Sequence, residues 1–257
     1  MATLRSPAVR IYRRASERFD ALRERLARHD FHPVVPPDAL SEWECVDDRG
    51  TRVRCWGGTV LVEAVDEDRA DEFDALHREA MPSDGVLPDG GASPLRVAAI
   101  AGSDEAGKGE PRRVLAVAAV VLPMDAEDDA IALGVRDSKL CSAGEIAAIA
   151  RWLSRFEHEI RCIPASSRAH ALREEGGNET RLLAALHAEC LRALAARAPF
   201  GLARVDRFAP SRPVAARLPA MIVDECVRGE RHPACAAASI LARNAVLHPP
   251  SVHGTCQ

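Results

Sequence analysis

The sequence contains very little lysine. Of its 34 basic side chains, only Lys108 and Lys139 are lysines, and all the others are arginines. The ammonium group of lysine is a compact point charge, whereas the planar guanidinium of arginine needs more room. We therefore expect both lysines to occupy confined sites that face phosphate. Two residues are a small sample, so chance placement is the alternative.

Long apolar runs and paired cysteines are also absent. No stretch reaches the roughly 18 apolar residues of a membrane span, and the first residues, MATLRSPAVRIYRR, lack the apolar segment of a secretory signal. The eight cysteines occur singly without a CxxC pair, which is typical of reduced cytoplasmic thiols. Cys226, His232 and Cys235 are close enough in sequence to ligate a metal. No second ligand pair accompanies them, so we favour buried structural residues.

The chain has no strong net charge. Its formal charge is −4, which does not by itself indicate a nucleic-acid-binding protein. The charges are nevertheless unevenly spread, because residues 1–30 carry eight arginines against four acidic residues, and residues 151–217 carry twelve against seven. This distribution is compatible with a basic face and equally with solvated helix surfaces.

One segment, residues 81–94, has the composition of a linker, since MPSDGVLPDGGASP is rich in proline, glycine and small polar residues. Before it, the apolar spacing predicts a helix at 10–29, strands at 41–46, 51–56 and 59–65, and a helix at 66–80. We therefore predict a small α+β domain over residues 1–80.

Residues 95–257 show a different pattern, in which continuous apolar runs alternate with helical periodicity. The predicted strands are 95–102, 114–122, 158–164, 201–206 and 219–224, and the predicted helices are 142–153, 178–197 and 234–247. Strands that alternate with helices predict an α/β domain with a central sheet.

The most informative segment is IAGSDEAGKGEP, residues 100–111, in which an apolar strand ends in Asp104 and Glu105. Removing a carboxylate from water is costly, so paired acids at this place need a partner, and Mg²⁺ prefers carboxylate oxygens. Neighbouring strand residues point to opposite faces, so we expect a bend here, favoured by Gly107 and Gly109. Their N–H groups can also approach a phosphate. An exposed acidic turn is the alternative on these residues alone.

DEAGKG resembles the signature that opens the catalytic domain of ribonucleases HII and HIII. Three further segments resemble motifs of this group in the same order, namely GVRDSKLCS at 134–142, RVDRFAP at 204–210 and HPACAAASILAR at 232–243. Two details favour ribonuclease HIII. Lys108 stands where ribonuclease HII usually has arginine, and GGNETRLLAALHAE at 176–189 is similar to the Asn…Leu-His helix of type three.

This resemblance implies a fold and a chemistry. The fold would be a ribonuclease H-like mixed central sheet with flanking helices, in an α/β domain at 95–257. A TATA-binding-protein-like domain at 1–80 would precede it and grip the substrate. The enzyme would cleave the RNA strand of RNA–DNA hybrids, leaving 5′-phosphate and 3′-hydroxyl ends. Two Mg²⁺ or Mn²⁺ ions would activate the attacking water and stabilise the leaving oxygen.

The resemblance also implies roles for individual residues. Asp104, Glu105 and Asp206 would hold the metal ions, and Glu230 would complete the set of catalytic acids. The predicted substrate-binding residues are Gly107, Lys108, Gly109, Ser138 and Lys139. Glu230 lies one residue closer to Ser239 than the family pattern suggests, so Asp224 and Glu225 are alternatives for the fourth acid.

After the Ala-Ala-Ala-Ser helix only a short proline-containing segment, HPPSVHGTCQ, follows, where family members continue. We therefore expect a truncated C-terminus and keep three functions open. These are cleavage of hybrids, excision of single ribonucleotides from DNA as in ribonuclease HII, and hybrid binding by a catalytically impaired remnant. In each case we expect a cytoplasmic monomer that binds an RNA–DNA hybrid and no membrane.

Overall fold

A computed structural model describes residues 8–13, 19–35, 41–56, 59–80 and 94–249. The chain divides into two compact units, Met1–Ala98 and Ala99–Gln257. The predicted linker, except for Pro94, lies outside the described residues. Within the described residues, no helix combines the length and the apolar character needed to cross a membrane.

The described segments of the first unit build a six-stranded antiparallel sheet in the order β2-β3-β4-β5-β1-β6. In chain order the elements are β1 (Ala8–Arg13), α1 (Phe19–Leu26), β2 (Phe31–Val34), β3 (Trp43–Asp47), β4 (Arg52–Trp56), β5 (Thr59–Ala64), α2 (Glu67–Ala80) and β6 (Leu95–Arg96). Side chains of the sheet such as Trp43 and Val62 pack against Leu22 of α1 and Phe73 of α2 in a buried core. The buried Arg10 of β1 pairs with acidic residues of α2.

Two predicted elements before residue 103 differ from the structure, and the strand predicted over 219–224 is observed at Val223–Cys226. The helix predicted over 10–29 is wrong in its first part, because Ala8–Arg13 is a strand that pairs with β5 along its whole length and α1 begins at Phe19. The strand predicted over 95–102 is divided, since Leu95–Arg96 pairs with β1 whereas the next strand begins at Ala99. Short apolar segments fit a strand or a helix, and pairing with a distant strand decides between them.

The described residues of the second unit form a five-stranded mixed sheet in the order β11-β10-β7-β8-β9, with helices around it. Its elements are β7 (Ala99–Ala106), β8 (Leu115–Pro123), α3 (Glu127–Ala132), α4 (Ala143–Leu153), β9 (His158–Ile163), α5 (Ala165–Glu174), α6 (Glu179–Ala195), β10 (Leu202–Asp206), α7 (Pro213–Arg217), β11 (Val223–Cys226) and α8 (Pro233–Leu247). Strands β7, β10 and β11 are parallel, and β8 is antiparallel to both β7 and β9. Helices α3, α5 and α7 were not among the predicted elements.

Helices α6 and α8 pack on different faces of this sheet. The α6 residues Leu183 and Leu191 share a buried cluster with Val117 of β8, whereas Ala245 of α8 packs on the neighbouring Ala116. Helix α8 approaches β7 closely because Gly102 has no side chain, and a Cβ there would lie 1.9 Å from the carbonyl oxygen of Ala234. The small residues of both elements thereby bring α8 alongside the end of β7.

Candidate active site

An open cavity of about 630 Å³ lies at the ends of β7 and β10. It collects most of the site residues predicted from the sequence: Asp104, Glu105, Gly107, Lys108, Ser138, Lys139 and Asp206. The parallel pairing of β7 with β10 explains this convergence. Its register ends at Ser103 opposite Val205, so the next residues, Asp104 and Asp206, leave adjacent strands side by side. Adjacent strands are only about 4.8 Å apart.

Asp104 is almost completely buried, with 8% of its surface exposed. One carboxylate oxygen accepts a hydrogen bond from the Glu105 N–H at 2.7 Å, and the Ser239 hydroxyl of α8 is a second partner. Burial raises the pKa of Asp104 well above its usual value, and the negative charges of Glu105 and Asp206 raise it further. The site therefore concentrates negative charge in a place that water reaches poorly.

Glu105 leaves β7 on the opposite side from Asp104. The strand continues through Ala106, so the bend expected at the two acids is absent, and the carboxylate of Glu105 meets α6 instead of α8. Its Oε2 lies 3.3 Å from Nε2 of His187, and its Oε1 lies 3.5 Å from Nζ of Lys108. Burial alone would raise the pKa of Glu105, but the hydrogen bonds and charges of these two partners lower it overall.

Asp206 is held by a turn that follows β11. Its Oδ1 accepts a hydrogen bond from the Gly229 N–H at 2.8 Å, and a Cβ on Gly229 would lie only 2.8 Å from the Cα of Asp206. Burial raises the pKa of Asp206, the Gly229 hydrogen bond lowers it, and the charges of Glu230 and Glu105 raise it again. Glu230 is thus an electrostatic neighbour of Asp206, although it does not line the cavity.

The two alternatives for the fourth acid are engaged elsewhere. Asp224 and Glu225 are fully buried in β11. Asp224 lies 3.7 Å from Nε of Arg204, and Glu225 accepts hydrogen bonds from the N–H groups of Val214 and Ala215 at the start of α7. None of the three candidates lines the cavity, but the charge of Glu230 raises the pKa of Asp206, whereas Asp224 and Glu225 contact Arg204 and the start of α7.

The Gly–Lys–Gly turn has the backbone that its glycines permit. Gly107 and Gly109 have φ angles of +85° and +76°, in the left-handed region that favours glycine. Arg168 of α5 donates hydrogen bonds to the carbonyl oxygens of Gly107 at 2.9 Å and Glu110 at 3.2 Å. Gly109 is the one predicted substrate-binding residue that does not line the cavity.

The two lysines lie at the edge of the cavity rather than in enclosed sites. Lys108 is 40% exposed, with its ammonium group 5.4 Å above the ring of Phe208, and Lys139 is exposed. The expectation of confined sites is therefore wrong, whereas both residues do line the cavity. Ser138 is buried, and its hydroxyl is hydrogen-bonded to that of Ser239 at 2.8 Å.

His187 belongs to the segment at 176–189 that resembles the type-three helix, but no role in the site was predicted for it. It is fully buried and touches both Ser103 and Glu105. A buried histidine in the middle of a leucine-rich helix is the signal that was available in LAALHAE, but its distance from Glu105 along the chain concealed the contact.

Among the residues described by the structure, no group of three or more His, Cys, Asp or Glu side chains is arranged so that it could hold a metal ion. Cys226 and Cys235 are buried and hydrogen-bonded to each other, which lowers the pKa of Cys226 to about 6 and raises that of Cys235. Nδ1 of His232 lies 2.6 Å from the guanidinium of Arg204. These contacts agree with a structural role for Cys226, His232 and Cys235.

Comparisons with known proteins bear on the family and the fold of the chain. A sequence profile of the family described as ribonuclease HII matches residues 101–248. No curated protein sequence gives a significant match. Among solved structures, the chain is similar to a mutant form of Bst-RNase HIII, with 22% identity over 93% of this chain and 81% of that one and a TM-score of 0.51.

Two other solved structures extend the comparison. RNase H3 of Aquifex aeolicus is 18% identical over 93% of this chain and 84% of its own, with a TM-score of 0.51. RNase HII of Archaeoglobus fulgidus, solved in complex with PCNA, is 27% identical over 58% of this chain and 72% of its own, with a TM-score of 0.51. These likenesses confirm the predicted fold class of the second unit, a mixed central sheet with flanking helices.

Proposed function

The chain belongs to the ribonuclease HII family, and on this premise we propose that Asp104, Glu105, Asp206 and Glu230 carry its reaction. The protein is an endoribonuclease of the ribonuclease H type that acts on RNA–DNA hybrids. The observation that supports the assignment of residues is the cavity at the ends of β7 and β10. It gathers three of these four acidic side chains, Asp104, Glu105 and Asp206, from two distant parts of the sequence beside the glycine turn.

The charges of the cavity fit divalent cations. The raised pKa of Asp104 results from burial and from two neighbouring carboxylates, and a bound cation would relieve both effects. The oxygen donors of Asp104, Glu105 and Asp206 suit Mg²⁺ or Mn²⁺, and a solved structure of Bst-RNase HIII is a complex with Mn²⁺. Although these three side chains do not enclose an ion-binding site as they stand among the described residues, we propose that together they hold two such ions. Divalent cations would supply Lewis-acid and charge stabilisation at the phosphate under attack.

The chain's own groups would bind and orient the RNA strand. In this proposal the N–H groups of Gly107 and Gly109 contact a backbone phosphate and the ribose 2′-hydroxyl, and recognition of that hydroxyl distinguishes RNA from DNA. The ammonium group of Lys108, at the edge of the cavity, would neutralise a phosphate. Lys139 would act in the same way beside Ser138, in the turn at 138–140 that also lines the cavity.

We further propose type-three specificity, in which continuous hybrids are cut in preference to single ribonucleotides within DNA. Lys108 in the glycine turn and the α6 sequence that contains Asn178 and His187 support this assignment. The first unit, proposed as the TATA-binding-protein-like grip for the hybrid, offers an antiparallel sheet with two helices. Ribonuclease HII-type specificity is the competing proposal. A cytoplasmic location and a monomeric state complete the proposal.

Two substrates test the proposed function. One is a continuous RNA–DNA hybrid, and the other is a DNA duplex with a single embedded ribonucleotide, each supplied with Mg²⁺ or Mn²⁺. Cleavage of the hybrid alone supports type three, whereas cleavage of the second substrate supports type two. Binding of the hybrid without cleavage in either metal would leave the impaired remnant as the better description.

A further inference from the structure

His187 is a fully buried polar side chain that touches Glu105, one of the cavity acids. It lies on α6 with none of its surface exposed. Its Nδ1 is 2.7 Å from the hydroxyl of Ser103, and its Nε2 is 3.3 Å from Oε2 of Glu105. Its ring stacks on Phe208, with 5.2 Å between centroids and 15° between planes. These three contacts leave the imidazole little freedom to rotate.

The hydrogen bonds determine which atom of His187 carries a proton. An ionised Glu105 can only accept hydrogen bonds, so Nε2 of His187 must donate. The Ser103 hydroxyl has a single proton, which goes either to the carbonyl oxygen of Ala118 at 3.0 Å or to Nδ1 of His187. In the first case the ring donates from both nitrogens, and in the second it is neutral with its proton on Nε2. Both arrangements have the same Nε2–H···Oε2 hydrogen bond.

The other partner of Glu105 is less constrained. Lys108 is 40% exposed, and its flexible side chain approaches Oε1 from the side of the cavity. His187 approaches Oε2 from the protein core, between Ser103 and Phe208. The charge of Glu225, buried in β11, also acts on the imidazole. The direction of the Glu105 carboxylate therefore depends more on His187 than on Lys108.

We propose that His187 is a positioning residue for Glu105, which it orients towards the cavity through the hydrogen bond from Nε2, while Phe208 keeps the imidazole in place. The proposal rests on the catalytic role given to Glu105 under the proposed function. It adds a residue outside the set of acids and outside the substrate-binding turn. Residues that hydrogen-bond to a metal ligand without touching the metal commonly contribute roughly 10- to 100-fold to metal affinity or activity.

Two substitutions at the same position separate positioning from packing. In His187→Gln the side-chain amide nitrogen can take the place of Nε2, whereas in His187→Asn the shorter amide reaches only Ser103. We expect His187→Asn to lower kcat on the hybrid about 10- to 100-fold with little change in KM. His187→Gln should recover most of this loss. Thermal unfolding of both variants shows whether they are equally stable.

A second measurement does not depend on turnover. Calorimetric titration of each free protein with Mn²⁺ should show weaker binding for His187→Asn than for the wild type, by a factor of about 10 or more. His187→Gln should bind Mn²⁺ nearly as well as the wild type. The titration can be made even if the wild type does not cut the hybrid, so failure of the proposed function is distinguishable from failure of this inference.

Two results would overturn the positioning role. One is a His187→Asn variant whose kcat and Mn²⁺ affinity equal those of the wild type. The other is an equal loss in both variants that parallels their loss of thermal stability, because that would assign His187 to core packing alone.

Discussion

At the scale of single residues, the acids of the cavity differ in the environment that surrounds each of them. The pKa of Asp104 is raised by burial and by neighbouring negative charge, whereas His187 and Lys108 hold that of Glu105 below its usual value. Adjacent residues thus experience opposite electrostatics because β7 directs one side chain towards α8 and the other towards α6.

Replacing Asp104 by Asn should abolish cleavage while largely preserving affinity for the hybrid. The amide keeps the shape of the side chain but removes an anionic oxygen donor, so we expect kcat to fall more than about 100-fold, beyond the effect of an indirect partner. Single-turnover cleavage and equilibrium binding of the same hybrid measure the two effects separately. Retained turnover would remove Asp104 from the proposed metal site.

At the scale of structural elements, helices α4 and α5 support two segments that line the cavity, the turn at 138–140 and the glycine turn. Helix α4 begins at Ala143, where Ser142 and Glu145 exchange side-chain and backbone hydrogen bonds in a capping box. Arg168 of α5 donates a hydrogen bond to the carbonyl oxygen of Gly107 in the glycine turn. Its Nη2 donates another to Oε1 of Glu179, at the start of α6, at 2.8 Å. Neither helix contributes an acid to the cavity, yet each determines the position of a segment that faces the substrate.

Replacing Arg168 by Met should weaken hybrid binding more than it slows the chemical step. The Arg168 side chain is 12% exposed and its guanidinium donates to two carbonyl oxygens of the turn, so its loss frees the backbone of the Gly–Lys–Gly segment. We expect KM to rise about tenfold, which corresponds to one charge-assisted hydrogen bond of roughly 1.5 kcal/mol. Steady-state kinetics on the hybrid provide the measurement.

Arg173→Met is the matched control, because Arg173 is an exposed arginine on the same helix. An equal rise of KM in both variants would indicate a general loss of positive charge and would contradict the role of Arg168 in holding the turn.

The cap of α4 should make stability depend on pH. Hydrogen bonds from the Ser142 backbone and side chain, together with Arg136, lower the pKa of Glu145 from 4.5 to about 2. A lowered pKa means that the ionised carboxylate stabilises the folded state above the unfolded value, and that this contribution is lost as the pH falls towards 2. We expect Glu145→Gln to lower the Tm near neutral pH, and the two Tm curves to converge only as the pH approaches about 2. A difference that stays constant with pH would contradict this assignment.

At the scale of the whole molecule, two units have different tasks in the proposed function. The first unit ends at Ala98, and its sheet includes Leu95–Arg96 at the edge next to β1. The second unit contains every residue proposed for the chemistry, from Asp104 to Glu230. A boundary placed at the end of the predicted domain, residue 80, would therefore remove a strand from the first sheet.

Deleting residues 1–98 should weaken binding of the hybrid far more than it slows cleavage of bound substrate. The proposed grip is lost, whereas the cavity and its acids remain within the second unit. Fluorescence anisotropy gives the Kd, and single-turnover cleavage at saturating enzyme gives the rate for the bound state. Circular dichroism of the deleted form shows whether the second unit keeps its fold. Unchanged affinity in a folded deletion variant would refute the grip.

The sequence by itself determined much of the second unit. A buried apolar strand ending in Asp104 and Glu105, with glycines behind it, could be read directly because these features are local in the chain. Periodicity alone also predicted the long helices, now α4, α6 and α8, to within a few residues. Asp206 was identified only through the resemblance of RVDRFAP to a family motif, since nothing in its local pattern points to a site.

Only the tertiary structure decided which distant groups meet. The parallel pairing of β10 with β7 brings Asp206 to Asp104, and the packing of α6 on the sheet brings His187 to Glu105. The same packing buries Asp224 and Glu225 away from the cavity, and pairing with β5 makes a strand of residues that fit a helix. These four outcomes have the same physical reason. Local spacing specifies which side of an element is apolar, but it does not specify which other element will cover that side.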